Sequence, residues 1–249
     1  MLTLKNQFIF APIKTGYSDG SGVVTEKHLA FYKRRSQYLG GVIPEPFYMD
    51  KGLRELPTQM GIDDDNKIEG LKKLVDLIHR SGTKAIAHLN HPGRMANPKI
   101  AGNYYPSSTD KPCENGGATP NRMDREDMKK VVNLFVEGAV RAKKAGFDII
   151  ELQFGHGYLL AQFISPFVND RTDEFGGSFG NRIRFPLEIL IRKGYVTSRI
   201  CIMHPPSFSK CSPFGYSKEI RRQRWSSLTH SSLPKRWDAS ILVGRVLWG

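Results

Sequence analysis

The fold class is decided by residues 124–153, DREDMKKVVNLFVEGAVRAKKAGFDIIELQ, which contain a helix followed by a strand. Asp124, with Asp127 three residues later, predicts the start of the helix because such side chains accept hydrogen bonds from free N–H groups of the first turn. Gly146 predicts its end. The residues between them are apolar at helical spacing, at Met128, Val131, Val132, Phe135 and Ala139. The following FDIIELQ is continuously apolar, which is typical of a parallel strand covered on both faces.

The residues before this stretch repeat the alternation of strand and helix. Apolar runs predict strands at residues 8–13, 41–47 and 84–89, although prolines weaken the second of these predictions. Helices are predicted from Thr25 to Gly40 and around residues 71–82, and a long loop over residues 90–122. About four βα units therefore precede Arg192, and the sequence predicts a parallel α/β architecture.

The composition excludes several classes of protein. Hydrophobic residues make up 39% of the 249 residues and charged residues 24%, as in ordinary soluble globular proteins. No apolar run approaches the roughly 18 residues of a membrane span, and the N-terminus lacks a signal-peptide pattern, so we expect a cytoplasmic protein without membrane contact. The three cysteines are too few and too scattered for a disulfide framework or a metal cluster. We expect no metal.

Charge divides the chain into two regions. Residues 193–249 hold ten of the 37 Lys and Arg residues but only two of the 24 Asp and Glu residues, together with all three tryptophans. They show no sustained helix or strand period. We therefore predict one unit over residues 1–192 and a basic tail, rich in Ser and Trp, over residues 193–249.

Polar residues that can carry chemistry follow each of the four predicted strands. In parallel α/β folds the active site lies at the C-terminal ends of the strands, so these residues are expected to share one site. Any one of them alone is more often a structural residue. They are Lys14 and Thr15, Glu45, then His88, Asn90 and His91, and finally Gln153, His156 and Tyr158.

Two longer motifs carry a family resemblance. HLNHPGRMANP at 88–98 and ELQFGHGYLLAQFISPFVNDRTDEFGGSFGNRIRFPLEIL at 151–190 resemble the old yellow enzyme family of FMN-dependent NADH:flavin oxidoreductases and ene-reductases. FAPIKTG at 10–16 fits the same family, and the resemblance covers residues 6–192. It implies a (β/α)₈ barrel of the TIM type with FMN across its mouth. Only the first four βα units of that barrel are recognisable here.

The resemblance also implies a reaction with two halves. In the family, NADH or NADPH passes hydride to the flavin, and the reduced flavin passes hydride to an activated alkene while a tyrosine supplies the proton. Tyr158 matches that tyrosine. Gln153 and His156 match the pair that holds the carbonyl oxygen of the substrate. A glutamine donates a hydrogen bond but carries no positive charge, so weaker activation or another substrate is expected.

Four further residues match positions that contact the flavin. Pro12 and Ile13 match backbone that lies against the ring. Lys14 stands where a Thr or Cys commonly tunes the flavin, unless a shift of one residue places Thr15 there. His88 replaces the family's usual Gln at the pyrimidine edge, and one imidazole cannot reproduce both functions of an amide.

The resemblance ends at Arg192. The family barrel needs four more βα units, which carry a basic residue beside the flavin and the glycine-rich loop and arginine that hold its phosphate. Our hypothesis is that residues 193–249 represent a shifted reading frame or a gene-model artefact. The first and fourth strands would then be open edges, with residues 86, 89, 149, 150 and 152 exposed, and copies of the chain would pair through them.

Three functions remain open on the sequence. The first is an FMN-dependent NAD(P)H oxidoreductase that reduces α,β-unsaturated carbonyl compounds or enoates. The second is a truncated family member without activity. The third is a non-enzymatic protein that binds nucleic acid or another acidic surface through its basic tail, which is the least favoured because short basic runs with an aromatic residue are common by chance.

Overall fold

The computed structural model describes residues 3–102, 104–114, 117–191, 200–202 and 244–247. Strands and helices alternate along the first 190 residues, as the sequence predicts. The strands are β1 (Ile9–Phe10), β2 (Gly41–Val42), β3 (Phe47–Tyr48), β4 (Lys84–Asn90), β5 (Pro106–Ser107), β6 (Asn121–Arg122), β7 (Ile149–Leu152), β8 (Ile200–Ile202) and β9 (Gly244–Leu247). The helices are α1 (Glu26–Ser36), α2 (Ile68–His79), α3 (Pro98–Ala101), α4 (Arg125–Lys144), α5 (Leu159–Ile164), α6 (Phe179–Arg182) and α7 (Arg184–Ile191).

The main sheet is parallel over its first four positions, in the order β1, β2, β4 and β7. The short strand β3 continues the line of β2 and also pairs with β4. Helices α1, α2 and α4 each connect one strand of this series to the next. Four parallel strands joined by helices form the first half of the expected barrel, so the predicted α/β class is confirmed for this part of the chain.

Helix boundaries follow the capping signals of the sequence. Thr25 begins α1 and forms a capping box with His28, and Asp124 and Asp127 form the same arrangement at α4. Gly146, just after α4, has a φ of 90°, which favours glycine because it has no Cβ.

Alternation along the strands divides the apolar residues into two cores. Leu89, Ile150 and Leu152 pack with α2, α4 and α7 on the outer face of the sheet. Ile86 and Ile149 point to the opposite, inner face, where they form a small cluster. The expectation that all five face solvent or a second molecule is therefore wrong. Three belong to the helix-facing core because neighbouring strand residues point to opposite faces, and the other two are buried as well.

Three boundaries differ from the sequence prediction. The strand expected over residues 41–47 is split into β2 and β3, since Pro44 and Pro46 have no N–H to donate to a ladder. Helix α1 ends at Ser36, four residues before Gly40. The loop expected over residues 90–122 contains α3 and the parallel pair β5–β6.

The tail also departs from expectation. Strands β8 and β9 lie within residues 193–249, where no regular structure is predicted from sequence, and β9 pairs antiparallel with both β7 and β8. The fourth parallel strand is therefore not an open edge over Ile149–Glu151. The other predictions for the tail fall on residues outside those that the structure describes. Within the described part of the chain, no helix is both long and apolar enough to cross a membrane.

Candidate active site

A buried carboxylate joins the ends of the first two strand positions. Glu45, fully buried after β2, accepts hydrogen bonds through Oε2 from the N–H groups of Thr15 and Gly16, at 2.6 and 3.1 Å. Its Oε1 accepts from the N–H of Met60 at 2.5 Å. Burial alone would raise the pKa of this carboxyl, but the hydrogen bonds from His28, Thr15 and Met60 hold it below its ordinary value. Glu45 thus fixes the chain directly after the predicted flavin-contacting residues Pro12, Ile13 and Lys14.

Lys14 reaches from this segment across the mouth of the sheet. Its Nζ lies 2.5 Å from Oε1 of Glu55 and 2.9 Å from the hydroxyl of Tyr158. The other oxygen of Glu55 accepts a hydrogen bond from Nδ2 of Asn90 at 3.0 Å. Partial burial disfavours the ammonium, but its hydrogen bonds to Glu55 and Tyr158 prevail and raise the pKa of Lys14. The lysine is therefore charged at neutral pH.

Tyr158 lies between the fourth strand and α5. Partial burial raises the pKa of its phenol, and although the hydrogen bond from Lys14 lowers it, the result stays above the ordinary value. The ring of His156 lies edge-on to that of Tyr158, with centroids 6.5 Å apart. His156 has a φ of 57°, a left-handed conformation that is uncommon outside glycine and recurs at functional sites. Gln153 lies near it, with 3.5 Å between Nε2 and the His156 Nδ1.

A polar layer lies deeper on the inner face. His88 of β4 stands opposite Glu151 of β7, with 3.6 Å between Nδ1 and Oε2, and the Nε2 atoms of His88 and Gln153 are 3.2 Å apart. Within the described residues, His88 Nδ1, Glu151 Oε2 and Asn90 Oδ1 are buried without a hydrogen-bond partner. Such atoms are costly unless a bound group or water satisfies them.

These unpartnered atoms fit the polar edge of the FMN ring that the family resemblance implies. The pyrimidine edge of a flavin presents an N–H donor between two carbonyl acceptors, and the inner layer offers both acceptors and an imidazole that can donate. The family's phosphate-holding elements belong to later βα units, which are not among the described residues. The residues present therefore fit the ring half of FMN.

The predicted site residues lie at the same end of the sheet. Lys14 contacts Tyr158, and Gln153 links His88 to His156, as described above. Pro12 and Ile13 follow β1 at this end, and Ile13 leaves 48% of its surface exposed. Their roles toward flavin and substrate stay predictions.

Two polar residues that follow β4 do not join this site. His91 faces the helix side, where it lines a cavity of about 170 Å³ with residues of α4. Burial lowers its pKa to about 3, and its Nδ1 accepts the N–H of Gly93. Arg94 is buried, and its guanidinium binds Glu114 and the carbonyl of Pro112. The Nε2 atom of His91 is buried without a hydrogen-bond partner among the described residues, like the inner-layer atoms named above.

Glu55 and Glu151 are absent from the predicted site. Glu151 follows the alternation of β7, since it lies two residues before Gln153 on the inner face, and this signal was available in the sequence. Glu55 lies in an irregular segment after a turn of 3₁₀ helix at Lys51–Leu53. No sequence periodicity predicts its contact with Lys14, 41 residues away.

Comparison with known proteins identifies the family. Residues 1–203 match the model of the NADH:flavin oxidoreductase / NADH oxidase family. The chain is 40% identical over 192 residues to an NADH:fumarate oxidoreductase of Klebsiella pneumoniae (strain 342). The matched region covers 75% of this chain and 20% of that protein. It is 39% identical over 194 residues to an NADPH dehydrogenase of Halalkalibacterium halodurans, covering 76% of this chain and 55% of that protein.

Solved structures agree with these relatives. Morphinone reductase superposes with a TM-score of 0.70 at 27% identity, over 76% of this chain and 55% of that one. Old Yellow Enzyme from Pichia sp. AKU4542 gives 0.69 at 30% identity, over 75% of this chain and 52% of that one. These neighbours are TIM barrels, which confirms the expected barrel type. The chain spans between a fifth and about half the length of these proteins. The expected cofactors, FMN and a nicotinamide, are those of the family. The chain belongs to the NADH:flavin oxidoreductase / NADH oxidase family.

Proposed function

We propose that this chain carries the ring-binding and substrate-binding half of an FMN-dependent NAD(P)H oxidoreductase that reduces activated alkenes. The observation that carries the proposal is the position of the Tyr158 hydroxyl, 2.9 Å from the Lys14 ammonium at the mouth of the sheet, and the raised pKa of the phenol agrees with it. A general acid must keep its proton at working pH and lie within hydrogen-bond reach of the reacting atom. Tyr158 meets the first condition, and its position beside the open mouth is compatible with the second.

The neighbours of Tyr158 have matching tasks. Bound FMN supplies the hydride, so the chain must position the alkene, polarise it and supply the proton. His156 and the amide of Gln153 would donate hydrogen bonds to a substrate oxygen, stabilising the negative charge that develops there. His88, Asn90 and Glu151 would satisfy the polar edge of the flavin ring with the atoms that are now unpartnered.

The relatives indicate which alkenes to test first. Two of them are named NADH:fumarate oxidoreductase and NADH:acrylate oxidoreductase, the second from Vibrio harveyi at 36% identity over 200 residues. Fumarate and acrylate are both α,β-unsaturated carboxylates. We infer that short enoates are better substrates than neutral enones.

A second candidate is a family member that keeps the site but lacks activity. The family resemblance implies that the phosphate-holding elements belong to later βα units, which are not among the described residues. Such a chain would leave the absorbance and fluorescence of added FMN unchanged.

The test is a titration of the purified chain with FMN, followed by anaerobic stopped-flow kinetics with excess FMN. We expect a shift of the flavin absorbance on binding, reduction by NADH or NADPH, and reoxidation by acrylate or fumarate. Tyr158→Phe should slow reoxidation about 10²–10⁴-fold and leave reduction by the nicotinamide nearly unchanged, because only the alkene step needs the proton.

Tyr38→Phe is the matched control, since Tyr38 is 82% exposed and remote from the site. Equal slowing of both steps in Tyr158→Phe would contradict the role of Tyr158. An unperturbed flavin spectrum at saturating FMN would overturn the proposed function and leave the inactive alternative.

A further inference from the structure

Lys14 and Tyr158 form a directional pair. The ammonium of Lys14 has three N–H donors and no acceptor, so the phenolic oxygen must be the acceptor of the 2.9 Å hydrogen bond. The O–H of Tyr158 then points away from Lys14. The carboxylate of Glu55 is an acceptor near this O–H, and their interaction favours the neutral phenol.

Glu55 and Asn90 hold the lysine in place. Glu55 is 11% exposed, and its Oε1 binds the ammonium of Lys14 at 2.5 Å. Its Oε2 accepts from Nδ2 of Asn90 at 3.0 Å, which anchors the carboxylate to the end of β4. The Lys14–Glu55 pair is therefore anchored to β4. Because Lys14 is already held in place, it loses little conformational entropy when Tyr158 changes its charge.

We propose that Lys14 is a positioning residue, which holds the phenolic oxygen of Tyr158 and stabilises the phenolate left after proton transfer, with Glu55 and Asn90 holding Lys14. This inference rests on the proposed function for its meaning in the reaction. It differs from the role that family resemblance gives this position, which is contact with the flavin. The step itself is simple: the O–H bond of Tyr158 breaks, the proton forms a C–H bond with the substrate, and solvent later returns a proton to the phenolate.

The groups facing the phenol have opposite effects on it. Lys14 favours the phenolate, whereas Glu55 disfavours it both by like-charge repulsion and by hydrogen bonding with the neutral phenol. His156 lies edge-on to the ring and contributes an aromatic contact. Removal of Lys14 should therefore raise the phenol pKa, and neutralisation of Glu55 should lower it. Loss of packing alone would not produce these opposite changes.

The test is a pH titration of the Tyr158 phenol by ¹³C NMR of chain labelled at tyrosine Cζ, with the signal assigned by its loss in Tyr158→Phe. We expect Lys14→Met to raise the phenol pKa by about one unit or more and Glu55→Gln to lower it by a similar amount. Lys14→Arg keeps a cation that can donate a hydrogen bond, so the phenol pKa should stay close to that of the unsubstituted chain. Lys73→Met, at an exposed lysine of α2 on the helix-covered side of the sheet, is the matched control and should change nothing.

The inference would be overturned if the phenol pKa did not change in Lys14→Met and Glu55→Gln, or if it moved in the same direction in both. It would also be overturned if the phenol pKa in Lys14→Arg differed from the wild-type value as much as in Lys14→Met, in a variant whose circular dichroism is native. The titration needs neither FMN nor substrate. Opposite shifts in a chain that does not bind FMN would therefore support the pairing while overturning the proposed function. If the phenol pKa did not shift in either variant of a chain that reduces alkenes, the pairing would be overturned and the proposed function would stand.

Discussion

At the scale of single residues, the site depends on buried charges that are satisfied by backbone donors. Glu45 is the clearest case, because three N–H groups from two separate segments converge on its carboxylate. Hydrogen bonds to a buried charged group each contribute about 1.5–3 kcal/mol, more than neutral ones. The segment after β1, which carries Pro12, Ile13 and Lys14, is thereby fixed to the end of β2.

Glu45→Gln should destabilise the protein at neutral pH and weaken its acid sensitivity. The folded-state pKa of Glu45 is depressed, so its contribution is present above the ordinary value of 4.5 and is lost as pH falls through the folded-state pKa. The variant places an amide N–H₂ against N–H donors and should lose about 1.5–3 kcal/mol at pH 7. Urea unfolding from pH 7 to pH 3 measures both effects.

Glu69→Gln, on the exposed surface of α2, serves as its control and should follow the wild-type pH profile. A Glu45→Gln profile parallel to that of the wild type below pH 4.5 would show that this carboxyl does not carry the acid-linked stability.

At the scale of elements, α4 is the helix whose limits are most firmly fixed by local chemistry. Its capping box satisfies free N–H groups at the first turn, with the Asp124 side chain accepting from the N–H of Asp127 at 2.8 Å. Its buried face then packs against α2, β4 and α7. This helix brings β7 into register beside β4, and so places Glu151 opposite His88 and Gln153 within 3.2 Å of the same imidazole.

Asp124→Ala should lower the free energy of unfolding by about 1 kcal/mol, because one N–H of the first turn loses its acceptor. Asp124→Asn keeps an acceptor at the same position and should stay close to wild type. Both are measured by urea denaturation at pH 7. An equal loss in the two variants would instead assign the effect to the negative charge near the helix N-terminus.

At the scale of the whole molecule, the described chain is a four-stranded parallel half-barrel whose last edge pairs antiparallel with β9. An exposed strand edge presents unpaired N–H and C=O groups that recruit further chains. Residues 245–247 of the basic tail cover this edge over Ile149–Glu151.

A chain that ends at residue 192 should self-associate more strongly than the full chain, because the edge of β7 over Ile149–Glu151 loses its partner. Sedimentation velocity across a concentration series measures this. Val246→Pro in the full chain removes one N–H from β9 and should shift association in the same direction. Identical sedimentation of the shortened and full chains would show that β9 does not protect this edge.

The sequence by itself determined the alternation of strands and helices, the family and the end of the sheet where the site lies. These depend on local signals: capping residues at Asp124 and Thr25, apolar periodicity, and contiguous motifs such as residues 151–190. Their physical causes act within a few residues, so no three-dimensional information is needed to predict them.

The tertiary structure alone decided which side chains meet. Glu55 reaches Lys14 and Asn90 only because loops from different βα units converge at one mouth, and Lys14 turns to Tyr158 across 144 residues of sequence. The division of the strand residues between inner and outer cores likewise depended on register, since a shift of one residue reverses every side chain. Contacts between distant segments depend on how the sheet closes, and no local pattern in this chain encodes that.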